Sequence, residues 1–138
     1  MKPALVFALA LSVLTFSAKI YRPSHPPNLA HAHASLPLAY FWGIAHAESS
    51  FKADAIGPDG LDRGLWQFRA TYDKERGIVN PFDPVESTRA AIKLFEGNLS
   101  ALGSVELAVT AHCRGRGGAR ANGVDARYFE RVKEWSKY

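Results

Sequence analysis

Leu38-Ala39-Tyr40-Phe41-Trp42-Gly43-Ile44-Ala45-His46-Ala47-Glu48-Ser49-Ser50-Phe51 reads as an apolar helix that runs out in a carboxylate. Ahead of it, Ser35-Leu36-Pro37 offers a cap and a proline at an early helical position, where a backbone N–H is not needed. Leu38, Phe41, Trp42, Ala45 and Glu48 then recur at intervals of three or four, which puts the carboxylate on the stripe that the aromatic residues bury. Two effects act on a carboxyl at such a place. Apolar surroundings disfavour its charged form, and the partial negative charge at a helix C-terminus does the same. A carboxyl that keeps its proton near neutral pH is a general acid, so Glu48 is the candidate catalytic residue. The alternative for a Glu in a last helical turn is a solvated side chain.

Working outward, the next stretch, Lys52 to Arg63, holds the turn signal Gly57-Pro58-Asp59-Gly60 and leads into Gly64-Leu65-Trp66-Gln67-Phe68. This loop is expected to fold back towards Glu48. Ala70 to Glu75 suits a short helical piece stopped by Gly77, and Asp83-Pro84 supplies a cap with proline at the first position of a following helix. Val85, Ala91, Ile92, Phe95, Leu99 and Leu102 continue that helix at helical spacing until Gly103 closes it. Ser104 to His112 reads as a more buried helix that stops at the glycine cluster Gly115, Gly117 and Gly118. Tyr128 to Trp135 is the last, with Tyr128, Val132 and Trp135 on one stripe. No alternating strand pattern or repeat interrupts the series, so the fold class expected is all-α with long loops at the active site.

The other end of the chain carries a different signal. Met1-Lys2, the apolar run from Ala4 to Phe16 and the small residues Ser17 and Ala18 predict a signal peptide over 1–18, and hence a periplasmic or secreted protein. Pro23, Pro26 and Pro27 mark 19–35 as a linker, which leaves 36–138 as the folded domain. His25, His31 and His33 sit in that linker without helical spacing or a nearby carboxylate, so no metal is expected. Cys113 is the sole cysteine, which excludes an internal disulfide and leaves the fold to packing. A composition 47% hydrophobic and 22% charged suits a globular domain, and a net charge of +4 suits an anionic partner without choosing one. The Gly-Arg stretch around Arg114, Arg116 and Arg120 carries no nucleic-acid fold motif with it, so no nucleic acid is expected.

Glu48-Ser49-Ser50-Phe51, Gly64-Leu65-Trp66-Gln67, Asp83-Pro84, Ala111-His112-Cys113-Arg114-Gly115 and Tyr128 occur in an order that resembles the soluble lytic transglycosylase family, over roughly Leu36 to Trp135. The resemblance implies a small helical lysozyme-like domain acting as a monomer on peptidoglycan glycan strands, without cofactor. It implies cleavage of the bond between N-acetylmuramic acid and N-acetylglucosamine, with Glu48 as the single acid and base and with anhydro-muramic acid ends as products. The substrate's acetamido group then stands in for a second carboxylate. By the same likeness, Ser49 orients the acid or the acetamido group, and Gly64 allows close backbone approach to the glycan. Gln67 offers its amide to sugar or to Glu48, Tyr128 brings a hydroxyl near the acid, and His112, where the chain departs from the family pattern, is a candidate to stack on or hydrogen-bond to the glycan. Arg114, Arg116 and Arg120 are candidates for the stem-peptide carboxylates. His112-Cys113 replaces the Tyr-Asn usual in the family, which alters binding there while keeping the turn glycine. The resemblance also implies an envelope-spanning assembly as a further expected partner.

Two rivals follow. A lysozyme-type muramidase of the same fold would hydrolyse the same bond with a second carboxylate, for which Asp54, Asp59 and Asp62 are the candidates. A non-catalytic wall-binding accessory protein would keep the cleft and lack turnover.

Overall fold

A computed structural model describes residues 37–135. The expected signal peptide (1–18), the linker (19–35) with its three histidines, and the capping pair Ser35-Leu36 lie outside the described residues, as do the side chain of Leu38 and residues 136–138.

Helices dominate. They are α1 (Leu38–Ser49), α2 (Asp73–Arg76), α3 (Pro84–Leu102), α4 (Val105–Asn122) and α5 (Ala126–Trp135). The all-α expectation holds, with one addition: β1 (Asp62–Arg63) and β2 (Phe68–Arg69) pair antiparallel, Asp62 opposite Arg69 and Arg63 opposite Phe68. Strands of two residues are too short to leave an alternating pattern in sequence. Contacts group the described residues into two compact units, one formed by Glu48–Ala91 and the other by 37–47 with 92–135.

In the first unit the core is Phe51, Ala53, Leu65, Trp66, Phe68 and Ile78, all nearly inaccessible. Trp66 is fully buried, and its Nε1 donates to the equally buried Thr88 Oγ1 at 3.0 Å. A buried indole N–H needs such a partner. Replacing Thr88 by Val keeps the shape and removes the acceptor, so a loss of about 1–3 kcal/mol is expected in urea unfolding. An unchanged midpoint would mean that the bond contributes nothing. The Asp83-Pro84 start of α3 forms as its sequence predicts, with Asp83 Oδ1 accepting from Val85 N at 2.8 Å and Glu86 N at 3.1 Å. Glu86 turns back over the preceding loop and accepts from Val79 N and Asn80 N.

In the second unit α1 departs from the one-sided stripe expected of it. Phe41, Trp42, Ile44 and Ala45 are all at most 1% exposed, so the middle of the helix is buried around its whole circumference. The close neighbour on one side is α5, where a Cβ on Gly43 would collide with the Val132 carbonyl oxygen. Ring packing continues with Tyr40 stacked on Phe129 at 5.6 Å and His46 on Trp135 at 5.4 Å. Ser104 caps α4 by accepting from Leu107 N at 3.1 Å.

The glycine cluster behaves differently from its prediction. Helix α4 breaks only at Gly115 (φ 70°, ψ 163°), and Gly117 and Gly118 lie inside a resumed helix. Helical glycine costs roughly 1 kcal/mol relative to Ala, which tertiary contacts offset. Here Arg116 Nε donates to the buried Asn98 Oδ1 at 3.2 Å, Arg120 Nη2 donates to Ala101 O at 3.2 Å, and Ala119 is fully buried.

Candidate functional site

Glu48 lies in the last turn of α1 and is half-buried. The chain then leaves the helix abruptly, because Ser50 (φ 51°) and Phe51 (φ 63°) both adopt the left-handed conformation. Among the described residues the third non-glycine in that region is Gln67 (φ 48°). Each such residue costs about 1–3 kcal/mol and persists because its surroundings impose it, and such strain collects at functional sites. All three fall in the two stretches singled out from sequence, Glu48 to Phe51 and Gly64 to Gln67.

A single buried bond joins those stretches: Ser49 Oγ donates to Leu65 O at 2.7 Å. The loop after α1 thus returns to the residue next to Glu48, as expected. Ser49 is 8% exposed and its proton is committed to this carbonyl, which makes it a tie between helix end and turn. The turn itself is internally braced. Gln67 Nε2 donates to Gly64 O at 2.9 Å and Ala55 O at 3.2 Å, leaving its amide oxygen outside both bonds. Gly64 has φ 77°, and a Cβ there would collide with the Pro81 carbonyl oxygen. A close approach that requires a glycine at 64 is therefore made by the chain's own backbone at Pro81. Leu65, Trp66 and Phe68 are core residues.

The three loop aspartates differ. Asp59 pairs with Arg69 at 2.9 Å, and Arg69 also reaches Asp62 at 3.3 Å. The Leu61 N–H, followed by the Arg69 guanidinium, holds the Asp59 carboxyl below the usual aspartate range. Asp59 thus pins the loop to the hairpin, and Asp62 links the two strands within it. Asp54 is exposed.

In the second unit His112 is half-buried on α4, and Cys113 beside it is exposed, its Sγ donating to Thr110 O. Gly115 two residues later supplies the positive φ that the turn needs. Tyr128 is 6% exposed in the first turn of α5, where its N–H donates to Asp125 Oδ1 at 3.0 Å. Asp125 is itself held twice, by a salt bridge from Arg114 at 2.6 Å and by its own N–H donating to Thr110 Oγ1. Arg114, Arg116 and Arg120 each have a partner in their own unit, so the stretch read as a stem-peptide contact is first of all structural. Among the described residues no three His, Cys, Asp or Glu side chains gather closely enough to hold a metal ion.

The Asp125 cluster predicts a pH dependence. The Tyr128 N–H first, and Arg114 second, hold the Asp125 carboxyl below its ordinary value of 3.8. A depressed carboxyl stabilises the fold above the unfolded value, and that contribution is lost as pH falls through the folded one. Asp125→Asn can still accept from Tyr128 but carries no charge. It is expected to be less stable than the parent at neutral pH and to lose stability less steeply below about pH 4. Urea midpoints between neutral and strongly acidic pH test this, and parallel curves for the two proteins would contradict it.

The family model described as Transglycosylase SLT domain matches residues 26–133. The chain belongs to the SLT transglycosylase family. The SLT match takes in the Glu48 helix end, the Gly64 turn, the Gly115 kink and Tyr128, so the candidate residues all fall within the SLT domain. Comparison with curated proteins and with solved structures gives no match. Peptidoglycan is the substrate to which SLT membership points. Sequence reading missed Gly43, Thr88, Asp125 and Arg131. For Gly43 the signal was present, since an isolated glycine inside an apolar helix commonly marks close packing.

Proposed function

We propose that this SLT-family chain is a peptidoglycan lytic transglycosylase with Glu48 as its only acid and base. The observation that carries the reading is the strained, braced end of α1: Glu48 followed by left-handed Ser50 and Phe51, and Ser49 tied to the Gly64–Gln67 turn. A scaffold that holds a half-buried carboxyl at a costly backbone turn suits preorganised proton transfer.

In the proposed mechanism Glu48 gives its proton to the glycosidic oxygen between N-acetylmuramic acid and N-acetylglucosamine. The substrate's acetamido oxygen attacks the anomeric carbon as the bond breaks. The Glu48 carboxylate then accepts the proton of the primary hydroxyl at C6, and that oxygen attacks the anomeric carbon, displacing the acetamido oxygen and closing the anhydro ring. Ser49 acts through Leu65 to fix the turn, Gln67 offers its amide oxygen to a sugar hydroxyl, and His112 and Tyr128 complete the set of substrate-binding candidates. The pairing of Asp59 and Asp62 with Arg69 gives both a structural task, which leaves the exposed Asp54 as the second carboxylate that a hydrolase would have to use. A substrate outside the cytoplasmic membrane also fits the export signal expected over 1–18.

Clearing of purified sacculi by the chain tests the reading against the wall-binding alternative. Falling turbidity supports an enzyme. Sedimentation with the sacculi at constant turbidity would replace it with a binding protein.

A further inference from the structure

The last four carbonyls of a helix have no donor within it, and in α1 the Ala47 carbonyl belongs to that set. It accepts a hydrogen bond from Arg131 Nη2 at 2.9 Å, from a residue 84 positions later in the chain. This carbonyl is half of the peptide group whose nitrogen is that of Glu48. The same guanidinium lies over the Tyr128 ring, 5.5 Å from its centroid. Tyr128 and Arg131 are one turn apart on α5, and Tyr128 is buried and seated by Asp125. One side chain therefore touches both the peptide entering Glu48 and the aromatic ring that the family likeness places among the site residues.

We propose that Arg131 is a positioning residue: its guanidinium fixes the Ala47–Glu48 peptide plane against the Tyr128 ring, so that the carboxyl is presented in one orientation. The proposal rests on the reading of Glu48 as the acid. A planar guanidinium suits the task, since one edge donates to the carbonyl while its face covers the ring. Reactions that depend on near-attack geometry are sensitive to this kind of support, because a displacement of about 1 Å costs on the order of 10²-fold in rate.

Arg131→Met keeps the aliphatic stem and removes the donors. On soluble peptidoglycan strands it is expected to lower kcat about tenfold with KM within about twofold, the signature of an interaction needed in the transition state. Arg131→Lys, which restores a donor and the charge, is expected to recover most of that loss. Circular dichroism gives the folded fraction of each variant, and on a Glu48→Gln background the Arg131 change is expected to have no further effect. A parent-like kcat for Arg131→Met, a loss confined to KM, or a loss no larger than the unfolded fraction overturns the proposal. If Glu48→Gln keeps parent turnover, the acid lies elsewhere and both readings fall. If Glu48→Gln is inactive while Arg131→Met is fully active, only the positioning role falls.

Discussion

Glu48→Gln is expected to lose about 10²–10⁴-fold in peptidoglycan turnover, the range that general acid–base catalysis contributes. The amide matches the carboxyl in size, so the half-buried position tolerates it and the unfolding midpoint stays near the parent's. What disappears is a proton to give and a carboxylate to take one back. In the single-carboxyl mechanism both steps pass through this group, which places the loss towards the upper part of the range. Sedimentation with sacculi is expected to persist, because the proposed substrate-binding residues Gln67, His112 and Tyr128 are untouched. A variant that still turns over at the parent rate would remove Glu48 from the chemistry altogether.

The second large effect is on folding. Gly64→Ala is expected to destabilise by about 3–5 kcal/mol, a large part of the total stability of a small domain. Two causes add. Alanine at φ 77° is strained, and its Cβ meets the Pro81 carbonyl oxygen, a backbone atom that cannot rotate away. Gly60→Ala separates them, since Gly60 has φ 75° and open space where the Cβ would stand. That variant is expected to lose only about 1–2 kcal/mol, the cost of the left-handed conformation. Urea unfolding of the two side by side checks the argument, and equal losses would show that the Pro81 contact costs nothing. Gly64→Ala also displaces the neighbouring Leu65 carbonyl that Ser49 holds, so its surviving folded fraction is expected to be less active than its amount explains.

These two residues also mark how far the sequence could be read. The place of Glu48 in the last turn of α1 was legible because helical spacing and the end of an apolar run are local signals. So were the Asp83-Pro84 start of α3, the Gly103 stop, and Gly77, which ends α2 with φ 69°. Gly64 was legible as a required glycine, but its packing against Pro81 was not, because Pro81 lies in a separate turn that no local pattern connects to it. The same limit hid Arg131, whose partner is far away in sequence, and Thr88, whose hydroxyl looked like an ordinary helix residue until it met the Trp66 indole. Gly117 and Gly118 misled in the other direction. Their low helix propensity predicted a loop, and the packing of Arg116, Ala119 and Arg120 prevailed over it. In α1 the aromatic stripe predicted one buried face, whereas the middle of the helix is buried on every face.

Mass spectrometry of the muropeptides released from purified peptidoglycan tests the central claim most directly. Ring closure by the substrate's own hydroxyl predicts anhydro-muramic acid ends, lighter by one water than reducing ends, with no label taken up when the digestion is run in isotopically labelled water. Reducing ends carrying the label would contradict the single-carboxyl mechanism and establish hydrolysis by the same chain.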